Sequence, residues 1–239
     1  MNSCICIICL KPSDVWINFL KSFVSYDIYI IIDDNANSYN DIYKDTNVHF
    51  IQIVNEECEK NGFVNVSYVR DKKVSGWEKA LYYFSMMNTK YTNIWFLEDD
   101  VFFYNEQTLV NIDSKYGNSD LLSNVYDENL NGDKYDWYHW HKIYTTIKIP
   151  PPYYKTMCCA VRVSQTFLYK IKDYAINHGT LFYLEALFPT LCKQNNLLYH
   201  TPDELKYITW ADNYTVVDKD NVYHPIKDMN THKQFRLPL

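Results

Sequence analysis

Three adjacent carboxylates, Glu98, Asp99 and Asp100, follow directly on the apolar run Ile94-Trp95-Phe96-Leu97. Like charges this close repel one another, and the arrangement is costly unless a cation or backbone amide donors offset it. A divalent ion is the simplest offset. Carboxylate oxygens are hard ligands, and Mg²⁺ or Mn²⁺ commonly takes one or two of them together with phosphate oxygens of a substrate. The competing reading is a solvated acidic turn or a helix N-cap cluster, which is what charge runs usually are. The strongly apolar strand just upstream argues for the ion.

The elements that must carry this triplet follow from the hydrophobic pattern. Short apolar runs alternate with longer amphipathic ones, which predicts an α/β domain with a mainly parallel sheet flanked by helices. Strands are expected over residues 4–10, 29–32, 49–54, 64–68 and 93–97. Ser13 or Asp14 can cap a helix running to about residue 24, and residues 74–87 form the clearest helix, with Trp77, Ala80, Leu81, Phe84 and Met87 on one face. Ligands of open α/β sheets bind outside the carboxyl ends of the strands, so the acidic end of the 93–97 strand is the expected place for chemistry. A helix, a short strand and a loop containing Asn131-Gly132 are expected between residues 104 and 136. After the prolines at 150–152 come a strand over 157–163, a helix from the Ser164 cap to about 176, and a second helix over 181–192 beyond Gly179. Short strands near 206–209 and 221–224 precede a polar tail.

Composition narrows the functional classes. A chain of 239 residues with 47% hydrophobic residues can bury a full core as one domain. Its 23 Lys and Arg against 29 Asp and Glu give a net charge of −6, which disfavours a nucleic-acid partner. Only five glycines occur, with no G-x-G-x-x-G and no P-loop, so a nucleotide would be held another way. Seven cysteines, an odd number set largely in apolar runs, suit a reducing compartment, and no structural zinc site is expected. The first ten residues lack a basic leader and read as a core strand. With no apolar run long enough for a membrane span, a cytoplasmic protein is expected.

At Leu97-Glu98-Asp99-Asp100-Val101 the chain resembles the D-x-D-type motif of GT-A-fold glycosyltransferases. The wording L-E-D-D-V is similar to that of bacterial lipopolysaccharide-biosynthesis glycosyltransferases and procollagen galactosyltransferases. Gly76-Trp77-Glu78-Lys79-Ala80 resembles the G-x-x-x-A stretch that precedes the acidic motif in many such enzymes, and brings Trp77 and Lys79 among the candidate donor contacts. The run Tyr29-Ile30-Ile31-Ile32-Asp33-Asp34-Asn35 looks like the same fold's nucleotide-binding half. The likeness covers residues 4–104; beyond them only the order of elements agrees. It implies one GT-A-like domain over 1–239, a Rossmann-like nucleotide-sugar-binding half (1–104) and an acceptor-binding half (105–239).

The resemblance also implies roles. Mn²⁺ or Mg²⁺ would bridge the phosphates of a UDP- or GDP-sugar, with Asp100 as direct ligand, Glu98 on the ribose or the metal, and Asp99 as third choice. Asp33 and Asp34 would face the nucleoside, or else form a turn bonded to its own backbone. Arg70 and Lys73 would meet phosphate or base, or stand as surface charges. A late His often joins the metal; Val222-Tyr223-His224-Pro225 offers His224, with His232 as a weaker choice and Lys227 within reach of the diphosphate. A core-edge role is the alternative for His224. An inverting reaction needs a base for the acceptor hydroxyl. Glu185, alone in the apolar segment 181–190, is the candidate, against an exposed helical position; Asp212 and Glu204 are fallbacks. Trp137, His139 and His141 in an aromatic stretch suit a carbohydrate or glycoconjugate acceptor, with Asp212 beside them, though their alternation also fits a plain strand. Three other readings stay open: a retaining enzyme, a nucleotide- or carbohydrate-binding protein on a decayed GT-A fold, and a sugar-1-phosphate nucleotidyltransferase, whose Gly-rich opening loop is missing.

Overall fold

The computed structural model describes residues 2–39, 42, 46–65, 73–210 and 213–237, without the side chains of Lys142 and Thr145. In chain order the elements are β1 (Ser3–Cys9), α1 (Asp14–Leu20), β2 (Asp27–Ile32), β3 (Val48–Gln52), α2 (Asn55–Lys60), α3 (Gly76–Tyr82), β4 (Asn93–Glu98), β5 (Phe102–Phe103), α4 (Glu106–Lys115), β6 (Leu121–Asn129), α5 (Trp140–Thr146), β7 (Tyr153–Ser164), α6 (Gln165–His178), α7 (Leu184–Gln194), β8 (Tyr199–His200), β9 (Tyr207–Ile208), β10 (Val222–His224) and α8 (Met229–Arg236).

Seven strands form one sheet in the order β3-β2-β1-β4-β7-β6-β8. Its pairs are parallel except that β7 runs antiparallel to both β4 and β6, so the sheet is mainly parallel. Successive β1 side chains enter opposite cores: Cys4, Cys6 and Ile8 pack on one face, Ile5, Ile7 and Cys9 on the other. This is the period-two burial of a strand covered on both sides. The first face is covered by α3, α6 and α7, the second by α1 and α4. Cys6 and Cys9 have the spacing of a redox or zinc pair, but the extended strand turns their thiols to opposite faces; all seven cysteines are free and buried.

Strand order reverses at β1, which lies between β2 and β4, so the switch point of the sheet lies at the carboxyl ends of β1 and β4. A second sheet, β5-β10-β9, sits beyond it. Several sequence expectations need correction. The helix over 74–87 becomes a π-helical turn from Tyr83 to Met87. The strand over 64–68 falls largely outside the described residues; Asn65 makes an isolated bridge to Leu181. The aromatic stretch at 137–141 is a turn running into α5, where the Trp140 amide bonds the Trp137 carbonyl at 2.9 Å, and the polar tail contains α8. No helix among the described residues is long and apolar enough to cross a membrane.

Candidate active site

Glu98 is the last residue of β4, and its neighbours in space are set by the main chain. The acidic turn leads straight into β5, and β10 returns antiparallel to β5 with Tyr223 opposite Phe102. The Ile226 amide then bonds the Asp100 carbonyl at 2.7 Å. These backbone contacts lay His224 over the carboxylates: its Nε2 stands 3.2 Å from Asp100 Oδ1 and 3.6 Å from Glu98 Oε2. The other ring nitrogen, Nδ1, faces the Thr209 carbonyl at 2.6 Å and donates to it, so Nε2 is the atom turned to the acids. On the far side Trp77 Nε1 donates to Glu98 Oε1 at 2.7 Å, fixing that carboxylate's orientation.

The charges here are poorly offset by protein alone. Burial, then the Asp100 and Glu98 charges, push the Asp99 carboxyl up to about 6. Burial opposes charge on His224, but its bond to Asp100, the Thr209 carbonyl and the Glu98 charge outweigh that and raise its pKa. Antiparallel register adds a donor that the sequence did not disclose. The paired register of β4 and β7 ends at Leu97–Ala160, and just beyond it the two strands bring Glu98 and Cys159 close together. Donor atoms of Glu98, Cys159 and His224 all lie within 4.8 Å of one another. A carboxylate, a thiol and an imidazole converging with Asp100 alongside fit a divalent transition ion.

The other side of the switch point is built by the end of β2 and by α3. Ser75 caps α3 in a capping box with Glu78. Gly76 lets the helix lie against β1: a Cβ there would stand 2.6 Å from Ile8 Cγ2. One turn on, the fully buried Lys79 pairs with Asp33 Oδ1 at 2.9 Å and donates to the Asn35 side chain at 3.2 Å. The Asp34 carboxylate accepts from the Ala36 amide, the Asn37 side chain and the Tyr39 hydroxyl, bonds that hold it down at about 2. It holds its own loop, which is the turn the sequence left open. Lys73 and Lys227 are exposed, Lys227 one residue past the bond to Asp100. Arg70 and Asp212 lie outside the described residues.

Glu185 opens α7 and is buried against β7 rather than exposed on a helix face. Burial, then the Glu98 charge, push its carboxyl up to about 8, with Lys155 partly opposing. Its Oε1 has no hydrogen-bond partner among the described residues. Two residues before it, Tyr183 stacks on His139 with centroids 4.2 Å apart and planes 11° apart. Trp137 stands edge-on to both rings, and Lys155 Nζ lies 5.4 Å above Trp137. His141 points elsewhere, to Tyr135 at 4.8 Å, so His139 and His141 do not converge. Glu204 is paired with Lys115. His232 is no tail residue: buried in α8, it bonds the Ile226 carbonyl at 2.7 Å, and burial holds it down at about 4.

The chain matches no protein family model and no curated protein. Among solved structures it is similar to 4-diphosphocytidyl-2C-methyl-D-erythritol synthase of Anaerococcus prevotii, at 8% identity and a TM-score of 0.48, over 84% of this chain and 85% of that one. A mannosyltransferase of S. cerevisiae is 12% identical with a TM-score of 0.43, over 85% of this chain and 68% of that one. Mouse xyloside xylosyltransferase 1 is 8% identical with a TM-score of 0.42, over 84% and 85%.

Proposed function

We propose that the chain is a metal-dependent glycosyltransferase that moves a sugar, with inversion, from a UDP- or GDP-sugar to a hydroxyl of a glycan or glycoconjugate. The observation that carries this reading is the meeting of Glu98, Asp100 and His224 at one strand end, with the buried Glu185 carboxyl beside them. When bound, Mn²⁺ or Mg²⁺ supplies positive charge against the departing diphosphate. Glu98, Asp100 and His224 hold it; Trp77 and the Thr209 carbonyl keep the first and last of these oriented. Lys227 contributes a second cation to the diphosphate. The Asp33–Lys79 pair shapes the nucleoside side, where Lys73 meets the donor.

The acceptor sugar rests on Trp137, His139 and Tyr183, aromatic faces that suit the apolar face of a pyranose. Glu185 takes the proton of the attacking hydroxyl as the new bond to the anomeric carbon forms and the bond to the diphosphate breaks. A base near the working pH is best placed for this transfer, and burial sets Glu185 there. The test is a thermal-shift panel of UDP, GDP, CDP and dTDP, each with Mn²⁺ and with EDTA, since a ligand of the native state raises its stability. One nucleotide should stabilise the protein only when Mn²⁺ is present. Stabilisation by none of them under either condition removes the donor site from this reading.

A further inference from the structure

We propose that Cys159 is a direct ligand of the metal through its thiolate, so that the site takes a borderline transition ion such as Mn²⁺, Co²⁺ or Zn²⁺ and passes over Mg²⁺. This rests on the reading that Glu98 and His224 hold a divalent ion. The geometry behind it is independent of any acidic motif: an oxygen, a sulfur and a nitrogen donor from three separate strands come within 4.8 Å of one another. β4 supplies Glu98, the antiparallel β7 supplies Cys159 and β10 supplies His224. The adjacent Cys158 packs in the core on the opposite face of the sheet, so the strand presents one thiol here and not two.

Donor chemistry then sets the choice of ion. Mg²⁺ demands near-octahedral oxygen ligation and sheds water reluctantly, so a thiol and an imidazole serve it badly. Imidazole and thiolate both favour the later first-row ions, and affinity for a mixed set rises from Mn²⁺ towards Zn²⁺. Two of the three donors are already held: Glu98 by the Trp77 indole and His224 by the Thr209 carbonyl, the outer contacts that oriented metal ligands carry. On binding, the S–H bond of Cys159 gives way to a sulfur–metal bond and its proton passes to the buffer.

The experiment is a Co²⁺ titration of the full chain, alone and with UDP or GDP, followed by absorption. A thiolate-to-cobalt charge-transfer band should rise in the near ultraviolet in the wild type and in Cys158→Ser. It should vanish in Cys159→Ser, with Co²⁺ affinity lowered at least about tenfold, a loss of the size seen when a metal's surroundings are altered. Excess Mg²⁺ should not displace the ion. X-ray absorption of the zinc-loaded wild type needs no variant and should place one sulfur at about 2.3 Å. Metal binding without the band and without sulfur in that shell overturns Cys159 ligation and leaves the glycosyltransferase reading standing. Failure to bind Co²⁺, Mn²⁺ or Zn²⁺ with or without nucleotide overturns both.

Discussion

Burial holds the Glu185 carboxyl at about 8, against 4.5 for an ordinary glutamate, and that difference links chemistry to stability. At pH below 4.5 the group is protonated in both the folded and unfolded chain and has no effect. Between the two values the unfolded chain ionises it while the folded chain keeps the proton, so stability falls as pH rises and levels off above about 8. Glu185→Gln should therefore melt higher than the wild type, the gap widening through this window to a few kcal/mol on the order of magnitude that such a shift implies. The same change should cut transfer by about 10² to 10⁴, the usual share of a general base. Wild-type kcat should rise with pH towards about 8, and the variant's should not. Equal melting curves at every pH would show that the carboxyl is not held in this state. Trp77→Phe keeps the ring that packs on Phe96 and Phe188 but removes the bond to Glu98. It should weaken Mn²⁺ binding by about 10- to 100-fold in calorimetry with the melting temperature little changed. At this scale the sequence singled out Glu98 and His224, each the polar end of an apolar strand, and Asp100 in the turn after Glu98, and the fold brings the three together. Cys159 was not singled out, since its residue type and its apolar neighbours describe core, and only the fold brings its sulfur near Glu98 and His224.

The elements carry the site through a few close fits. α3 presents Trp77 to Glu98 and Lys79 to Asp33 because Gly76 allows its first turn to touch Ile8 of β1. In Gly76→Ala the new methyl would meet Ile8 in a filled core, an overpacking worth about 1–3 kcal/mol. The expected outcome is a lower melting temperature together with weaker Mn²⁺ binding, because both contacts of the helix move with it. Unchanged stability would mean that α3 has slack against β1. Helix α3 was readable from its apolar face, whereas the aromatic stretch before α5 was not. There, alternating rings and histidines mimic a strand, while the backbone turns at Trp137 and buries Trp140 as the first residue of α5. α8 escaped notice because it is polar over most of its surface. Asp228, which caps it by accepting from the Asn230 amide, was its clearest signal.

Across the whole molecule, one buried ion pair ties together pieces that the sheet alone does not. Asp113 of α4 accepts from Arg162 of β7 at 2.9 Å, from Trp95 of β4 at 3.1 Å and from Tyr26 beside β2 at 2.7 Å. Arg162 also donates to the Tyr116 and Ser119 carbonyls, so a fully buried guanidinium has partners on both sides. Arg162→Met should lower stability by about 3–5 kcal/mol in urea, because Asp113 is left charged and buried without its partner. A loss below about 1 kcal/mol would mean that the pair contributes little to holding α4 against β7. The sequence foretold the α/β class and the mainly parallel sheet from its alternating elements. It did not foretell the reversed β7, nor that Arg162, set in an apolar run, would be paired inside. Glu98 and His224 stand more than half the chain apart. Strands β1 to β7 are therefore translated well before the imidazole, and β10 can close onto β5 only after them. A cluster that needs all three donors is in this way completed only once β10 has been translated: a chain cut short before β10 keeps Glu98 and Cys159 and lacks the imidazole.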